Sequence, residues 1–560
     1  MVRNILRKIT APVRGLHQAA YLLAGLTFGS QILALLRDRL FAHQFGASEM
    51  LDIYYAAFRV PDLVFAIVAS LVSAYVLIPR IAGANKEETK KLLSHTASFL
   101  VIGGGIICAG LAVVAPTLLF ALFPTFESSP HASEFVMLTR ILLIQPILLG
   151  LSGIITSVTQ VNRRFVLFAL SPVLYNLGII GGTLFLYPTM GLIGIGWGVV
   201  AGAVLHLAIH VPLVAKAGLL PRPIIFSPKI VWSVARDSMP RSLALGVGAL
   251  ATLALTAIAA QTGEGSIAVF TLAGNLEAVP LSLIGAAYAT AAFPVLAEHM
   301  NAKRYEEFRA TLLVAARHII FWSAIVSVLA LVLRAHIVRI VLGSGAFDWD
   351  ATRLTAAVLA ILVFGLIAQG LILLCSRAFY AAGRSWNPLI IQAGGAVVSV
   401  LAAIVTLTLV NMYPAVNYFM EVLLRVEGVP GTGVLAVALG ATLAQIAMAA
   451  IALYTLRSVA PGVASMLARS LGEGLAAAIL GASATYGVLA YFGTLAPLTT
   501  LPIVFAEGLI AGMVGLSVSA AVLALLANQE FKDLIESLRR ITSTRALKPH
   551  GALIDDRTDS

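Results

Sequence analysis

The segment from Ser30 to Pro79 reads SQILALLRDRLFAHQFGASEMLDIYYAAFRVPDLVFAIVASLVSAYVLIP. Two apolar runs flank a short polar turn. Six charged side chains lie in this turn or beside it, namely Arg37, Asp38, Arg39, Asp52, Arg59 and Asp62. Charged groups are costly inside a bilayer and are kept there mainly for a transport pathway or a partner. The segment therefore predicts a functional site within a membrane; the alternative is a solvated loop whose arginines reach lipid headgroups.

The composition of the whole chain indicates a membrane protein. It is 59% hydrophobic and 11% charged, with a mean hydropathy of +0.96, whereas soluble domains carry about 25% charge. Because one spanning helix needs about 20 apolar residues, we expect an all-α polytopic membrane protein with about 14 transmembrane helices. The predicted spans lie near residues 18–36, 54–78, 95–123, 136–159, 166–187, 191–215, 242–260, 267–296, 318–343, 353–379, 389–412, 431–456, 470–492 and 500–527.

The net charge of +11 is distributed unevenly along the chain. Alternate connections between spans hold 29 of the 37 Lys and Arg residues, at 1–17, 79–93, 160–165, 216–241, 298–317, 377–388, 457–469 and 528–560. The opposite connections at 124–135, 188–190, 261–266 and 493–499 hold none. Basic loops remain on the cytoplasmic side, so both termini are predicted to be cytoplasmic. The basic charge therefore reflects topology, and no nucleic-acid partner is expected.

An internal repeat is visible at an offset near 220. Residues 58–61 lead through an apolar run to Ile-Pro at 78–79, and residues 277–280 lead through another to Phe-Pro at 293–294. Repeats in the same orientation predict two bundles related by an axis along the membrane normal, with a substrate site between them. The predicted divisions are an N-terminal six-helix bundle at 1–215, a cytoplasmic linker at 216–241, a second six-helix bundle at 242–457, two additional helices at 458–527 and a cytoplasmic tail at 528–560.

Signals of catalysis or metal binding are weak. The chain has no P-loop, HExxH or CxxC motif, and Cys108 and Cys375 both lie inside apolar runs. His206 and His210 share a helix face, but no third metal ligand is evident. We therefore expect no enzymatic activity, no metal and no cofactor.

The opening segment resembles the MurJ (MviN) family of lipid II flippases, within the superfamily of multidrug, oligosaccharidyl-lipid and polysaccharide exporters (MOP). The matching motifs are SxxLxxxRD, FGAxxxxD and AFxxP followed by IP, formed by Ser30, Leu33, Arg37, Asp38, Phe45, Gly46, Ala47, Asp52, Ala57, Phe58, Pro61, Ile78 and Pro79. Weaker similarity runs through most of the chain. The resemblance implies a MATE-like fold with a V-shaped central cavity. It also implies alternating-access flipping of lipid II, the lipid-linked peptidoglycan precursor, from the inner to the outer leaflet of the bacterial cytoplasmic membrane.

The resemblance also implies where substrate binds. Arg37 lies on the cavity-lining first span with Arg59 nearby, and an arginine fork matches phosphate geometry. Gln31, Phe65 and Asn275 stand where the family usually has basic residues. Arg37 and Arg59 are therefore expected to hold the pyrophosphate together. The predicted substrate-binding residues are Ser30, Gln31, Arg37, Arg59 and Asn275.

Four acidic residues are predicted to act in gating or charge pairing: Asp38, Asp52, Asp62 and Glu277. Asp62 and Glu277 lie close to equivalent prolines of the two repeats. They are either ion or proton sites or counterions for Arg37 and Arg59. No cluster of three oxygen-bearing side chains predicts a sodium site. The membrane potential, about 2.3 kcal/mol per charge per 100 mV, is the expected driving force.

Other functions remain open at the level of sequence. A flippase for another polyprenyl-linked glycan and a MATE-like exporter would have the same fold. A degenerate paralogue that scaffolds cell-wall synthesis proteins is a third possibility, and the missing basic residues favour it. The retained Arg37, Asp38 and Asp52 argue against such decay. The expected partners are a polyprenyl-pyrophosphate-linked glycan, membrane lipids and, on the third hypothesis, cell-wall synthesis proteins.

Overall fold

All regular secondary structure is helical in the part of the chain that the computed structural model describes, residues 16–72, 74–162, 164–493 and 500–542. A bilayer offers no water to the backbone, so each spanning segment must satisfy its own amide and carbonyl groups. Helices do this within a single segment. The predicted all-α class is therefore confirmed.

The described residues of the first half form twelve α-helices. They are α1 (Leu16–Phe45), α2 (Glu49–Ala57), α3 (Arg59–Val64), α4 (Ala74–Ala82), α5 (Lys86–Phe99), α6 (Gly105–Leu122), α7 (Ala132–Leu142), α8 (Gln145–Val161), α9 (Phe165–Gly181), α10 (Tyr187–Met190), α11 (Leu192–Ala208) and α12 (Val211–Lys216).

The rest of the chain contains twelve more, among the described residues. They are α13 (Pro228–Ala260), α14 (Ser266–Leu281), α15 (Ala287–Asn301), α16 (Tyr305–Val341), α17 (Trp349–Leu362), α18 (Leu366–Ala381), α19 (Trp386–Met412), α20 (Pro414–Leu424), α21 (Val434–Leu456), α22 (Val463–Gly493), α23 (Leu501–Leu525) and α24 (Gln529–Thr542).

Twelve helical segments of the described chain are long and apolar enough to cross a membrane. They coincide one by one with the third to fourteenth predicted spans. The first two predicted spans are not among them: 18–36 lies within α1, and 54–78 is divided among α2, α3, a π-helical turn and α4. The polytopic class is confirmed, whereas the count of fourteen stays a prediction.

The two predicted repeats share a local distortion. A π-helical turn at Phe65–Ala69 follows Pro61, and another at Ser282–Ala286 follows Pro280. Proline removes a backbone donor and disturbs the helical hydrogen bonds around it, and π turns occur frequently at functional sites. The matching distortions support the repeat, and they lie on helices that face the junction between the two halves.

The predicted linker at 216–241 includes the start of a helix. Helix α13 begins at Pro228, a residue that is favoured at the first position of a helix because its missing amide would be unpaired there. The non-helical stretch before α13 is fixed to α5, since the amides of Arg222 and Ile224 donate to the hydroxyls of Ser94 and Ser98.

Helix α13 holds the two halves together. It packs against α3 and α5 of the first half and against α19 and α21 of the second. Arg80 of α4 reaches it, donating to the Ser233 hydroxyl at 2.9 Å and pairing with Asp237 at 2.5 Å. Elsewhere small residues permit close contact between helices: a Cβ atom on Gly178 of α9 would overlap the backbone of Gly202 on α11.

The last helices form a separate layer. Helices α22 and α23 pack against each other and against α16. Asn528 caps α24 by accepting from the amide of Phe531 at 2.9 Å, so the described part of the predicted tail is helical. Residues 543–560 of the predicted tail lie outside the described residues.

Candidate functional site

Arg37 is at the centre of a buried polar network in the apolar bundle. Its Nε and Nη2 atoms donate to Asp38 Oδ1 at 3.0 and 2.7 Å, and its Nη1 donates to Asn176 Oδ1 on α9 at 2.9 Å. The Arg37 side chain is 19% exposed and that of Asp38 is 2% exposed. A buried charge is tolerated when it is paired and its remaining polar atoms are hydrogen-bonded. Here the Asp38 carboxylate pairs with the guanidinium of Arg37, and the Asn176 side-chain amide accepts a further hydrogen bond from it.

The second oxygen of Asp38 connects this network to the other half of the chain. Asp38 Oδ2 accepts from Asn275 Nδ2 on α14 at 2.9 Å. A continuous chain of side-chain hydrogen bonds therefore connects α9, α1 and α14, with Asn176 at one end and Asn275 at the other. Asn275 stands where the family usually has an arginine, and its amide makes the hydrogen bond to Asp38 that a guanidinium could make.

Arg59 lies beside a cavity of about 280 Å³ that is lined mainly by the second half. Its Nη2 donates to Thr271 Oγ1 at 3.3 Å, near the upper limit for a hydrogen bond, and its buried Nε has no partner among the described residues. Asp62, one helical turn further on, is its main electrostatic partner. The guanidinium of Arg59 thus retains more bonding capacity than that of Arg37.

The cavity is rich in amides and hydroxyls. Its polar lining comprises Arg59, Thr252, Thr271, Asn275, Glu277, Gln369, Thr442 and Gln445. Glu277 is 6% exposed and accepts from Gln369 Nε2 at 2.6 Å, so an amide holds this buried carboxyl group instead of either predicted arginine. The lining offers donors and acceptors for sugar, amide or phosphate groups, with one arginine among them.

Asp52 lies away from the cavity, at the junction of the two halves. It is 2% exposed, and its two oxygens accept from the backbone amides of Gly265 and Ala268 at 2.8 and 2.7 Å. These amides belong to the first turn of α14, where they have no partner within the helix. The carboxylate of one half therefore caps a helix of the other, in the position that the helix dipole favours for an anion.

Arg39 makes the converse contact. Its Nη1 donates to the carbonyl oxygens of Ile340 and Val341, at 2.6 and 3.1 Å, in the last turn of α16. A cation at a helix C-terminus is the favoured arrangement. We call these two helix-end contacts, made by Asp52 and Arg39, the clamp. The clamp joins the same ends of the two halves.

Glycine allows the backbones to meet beside the clamp. Gly46 and Gly265 have positive φ values of 65° and 76°, which glycine adopts without steric cost. A Cβ atom on Gly46 would overlap the Ala346 carbonyl oxygen, and one on Gly265 would overlap that of Ala47. The amide of Ala346 also donates to the His43 carbonyl at 2.9 Å. The two halves are therefore in direct backbone contact at this end.

The predicted site residues thus divide into two groups. Arg37, Asp38, Arg59, Asn275 and Glu277 belong to the network and the cavity, whereas Asp52 belongs to the clamp. Gln31 makes a long contact of 3.5 Å with Ser282, and half-buried Ser30 makes no hydrogen bond with other described residues. Arg37 and Arg59 bind different partners, Asp38 and Thr271 respectively.

Arg39 was noted among the charged residues of the opening segment but was given no role, and sequence reasoning missed three further residues that the structure brings into the site: Asn176, Thr271 and Gln369. Each is a single polar residue with no spacing signal. Asn176 and Gln369 lie in apolar helices, where polar side chains commonly form hydrogen bonds between helices. Their position in an apolar run is the feature of the sequence that could have indicated a role in the site. The histidine pair makes structural contacts: His206 bonds Ser152 at 2.8 Å and His210 bonds Thr159 at 3.2 Å.

Comparison with solved structures identifies the fold. The fold matches lipid II flippase MurJ in an inward closed conformation with a TM-score of 0.71, at 21% identity over 91% of this chain and all of that chain. It also matches an inward-facing MATE-family multidrug transporter of the MOP superfamily with a TM-score of 0.63, at 18% identity over 78% of this chain and 96% of that one. The chain therefore has the fold that these two membrane proteins share.

Sequence comparison identifies the family. The family model "Lipid II flippase MurJ" matches residues 41–506. The lipid II flippase MurJ of Burkholderia cenocepacia is 27% identical over 411 residues, covering 71% of this chain and 79% of that protein. A probable lipid II flippase MurJ of Thermotoga maritima is 26% identical over 364 residues, covering 65% and 73%. The chain belongs to the MurJ family.

Proposed function

We propose that this protein flips lipid II, a lipid-linked pyrophosphate with a sugar headgroup, across the bacterial cytoplasmic membrane by alternating access. The observation that carries the proposal is the family match over residues 41–506. The geometry agrees with it, because a polar network and a polar cavity lie where two helical bundles meet. Substrate sites of transporters built from repeats lie at such interfaces.

We assign phosphate recognition chiefly to Arg59. Its Nε is unpaired among the described residues, and its contact with Thr271 is long. The guanidinium of Arg37 is instead engaged by Asp38 and Asn176. A phosphate that binds Arg59 has only a weak hydrogen bond to replace. This proposal departs from the prediction that Arg37 and Arg59 hold the pyrophosphate together.

The clamp is the gate in this assignment. Asp52 and Arg39 hold the two halves together at one end, so opening that end requires both helix-end contacts to break. The positive-inside pattern assigns this end to the outer face. Cysteine labelling tests this topology: reagents added outside should reach positions in 124–135 and 261–266 but not in 298–317, and the reverse pattern would contradict it.

Depletion of the protein tests the substrate. Lipid II should accumulate in the inner leaflet, and an unrelated lipid II flippase should relieve the accumulation. Transport should stop when the membrane potential is collapsed at constant ATP. Lipid II that still reaches the outer leaflet at the normal rate in depleted cells would refute the proposed substrate.

A flippase for another polyprenyl-linked glycan is the second candidate. One observation favours it: Gln31, Phe65 and Asn275 replace three basic residues that the family usually has. Each lost charge-assisted hydrogen bond is worth about 1.5–3 kcal/mol. Normal lipid II turnover together with loss of a different glycan, in the same depletion experiment, would establish this candidate.

A further inference from the structure

A second polar pocket lies on the second half of the chain, at the same end as the clamp. Its volume is about 510 Å³, within the 300–1,000 Å³ typical of small-molecule sites. Its walls are the α13–α14 connection, the end of α19, the start of α20 and the connection before α21. The lining residues with polar side chains are Gln261, Thr262, Asn411, Asn417, Tyr418 and Thr432.

This outer pocket is distinct from the Arg59 cavity, since the two have no lining residue in common. No charged side chain is among its lining residues. Glu421 stands behind it, and Glu421 Oε1 accepts from Asn417 Nδ2 and Thr432 Oγ1, both at 2.8 Å. These two bonds fix the orientation of Asn417 and Thr432. They also leave the side-chain oxygen of Asn417 and the hydroxyl oxygen of Thr432 available as acceptors.

The lining selects the chemistry of a ligand. Amides and hydroxyls supply both donors and acceptors, so a ligand with several hydroxyl or amide groups can satisfy them. A phosphate would find no cation in the lining, and an acyl chain would leave the polar groups unpaired, which is costly. Tyr418 is 65% exposed and offers a ring face to a flat apolar surface. Uncharged sugar rings combine these features.

The surrounding helix places the pocket at the depth of lipid headgroups. Helix α20 begins two residues after spanning helix α19 ends. It exposes Tyr418, Phe419 and Leu423 at 65%, 64% and 63%. Exposed aromatic and aliphatic residues beside the end of a span are typical of helices that lie in the membrane interface. A headgroup attached to a membrane lipid can therefore reach the pocket.

We propose that the outer pocket binds an uncharged sugar unit of the lipid-linked headgroup after its release on the clamp side. This rests on the proposed function for the source of the sugar. The same chemistry would also accept a sugar unit of a free glycan.

The pocket is linked to the clamp through one short connection. Gln261 and Thr262 form part of its wall, and the amide of Gly265, three residues later, is bound to Asp52. Gly263, which lies between Thr262 and Gly265 in the chain, approaches Gly431 of the opposite wall of the pocket. Opening of the clamp therefore moves the pocket wall. A ligand that binds the two clamp states with different affinity shifts the balance between them.

Titration of the full-length protein in nanodiscs with N,N′-diacetylchitobiose, a neutral disaccharide, tests the pocket. Saturation-transfer NMR should detect binding of the disaccharide. Asn411→Ala and Tyr418→Ala should each lower its affinity about tenfold. This is the loss expected for a hydrogen bond or a stacking contact of about 1.4 kcal/mol. Phe419→Ala is the matched control, because Phe419 is equally exposed on α20 but does not line the pocket. Absence of binding, or equal binding by all three variants, would overturn the proposal.

Competition identifies the source of the sugar. Lipid II incorporated in the nanodisc should displace the disaccharide, whereas failure to displace it would overturn the headgroup assignment. Asp52→Ala should change the disaccharide affinity several-fold, and an unchanged affinity would overturn the link to the clamp. The outcome is separable from the proposed function: displacement by lipid II without any flipping would refute flipping and leave the pocket assignment intact.

Discussion

The clamp and the cavity both use charged side chains within the bundle, but they satisfy them differently. Asp52 and Arg39 bond to backbone groups at helix ends, which cannot move away without moving the helix. Arg37 and Arg59 bond to side chains, which can rotate. Charges that bind backbone hold two bodies in one position. A charge whose side-chain contact is weak, as at Arg59, can exchange that partner for a ligand at small cost.

The largest effect is expected at the clamp. Asp52→Ala removes two charge-assisted hydrogen bonds and should destabilise the closed arrangement by about 3–6 kcal/mol. Transport should fall more than about a hundredfold, since about 2.7 kcal/mol already corresponds to that factor. A flipping assay measures this loss. Spin labels at Gln44 and Gln261 should report a longer distance between the halves.

Asp52→Asn provides the control for this change. Its amide retains one acceptor oxygen but no charge, so the loss of transport should be smaller. Normal transport and an unchanged label distance in Asp52→Ala would show that the clamp does not hold the closed state.

The largest effect on lipid II binding is expected at Arg59. Arg59→Ala should weaken headgroup binding by about 1.5–3 kcal/mol, the value of a hydrogen bond to a charged group. Arg59→Lys should restore little, because a point charge cannot reproduce the guanidinium fork. Binding of lipid II to purified variants measures both. Equal affinity of the lysine variant and the wild type would show that the guanidinium geometry of Arg59 is not required for lipid II binding.

Arg37 and Asp38 should behave as a pair. Arg37→Ala alone leaves the Asp38 carboxylate buried with Asn275 as its one remaining side-chain partner, a state that typically costs about 3–5 kcal/mol. The double variant Arg37→Ala/Asp38→Ala removes both charges and should recover part of the thermal stability and transport. A double-mutant cycle measures the coupling. If instead the double variant is as inactive as Arg37→Ala while fully folded, Arg37 contacts the substrate.

A smaller effect is expected for Arg39. Its partners are neutral carbonyl oxygens, and a cation at a helix C-terminus contributes about 0.3–1 kcal/mol. Arg39→Ala should therefore lower transport by less than about tenfold, and Arg39→Lys should retain most of it. A loss as large as that of Asp52→Ala would mean that both contacts of the clamp carry equal weight.

The smallest effect is expected for Asn275→Arg. The new guanidinium would face Asp38 Oδ2, which already accepts from position 275 at 2.9 Å. The protein should remain folded and active, with equal or tighter lipid II binding because a cation is added beside the cavity. Loss of folding would show that the network has no space for the arginine that the family usually has.

The sequence predicted the fold well because apolar length and basic-loop periodicity are strong local signals. Twelve of the predicted spans coincide with helices, whereas the second was divided because Pro61 and the π-helical turn at Phe65–Ala69 interrupt it. The linker prediction did not include the helix that begins at Pro228, although proline is a helix-start signal.

The site was less predictable. The resemblance directed attention to Arg37, Asp38 and Asp52, and the structure places the first two in one buried network. The resemblance could not show that Asp52 has a different role from Arg37 and Asp38. The partner of Asp52 is the backbone at the start of a helix, more than 200 residues away in the chain. Asn176 and Thr271 gave no pattern, since a single amide or hydroxyl is recognised only once its partner is known.

The glycine contacts beside the clamp bear on the leak of ions through the membrane. Where Gly46 and Gly265 approach the opposite backbone, no side chain intervenes that could rotate aside and admit water. Helix packing of this kind is rigid rather than fluid. We therefore expect this end to stay closed to protons and sodium until the whole contact separates, which would protect the potential on which transport is proposed to depend.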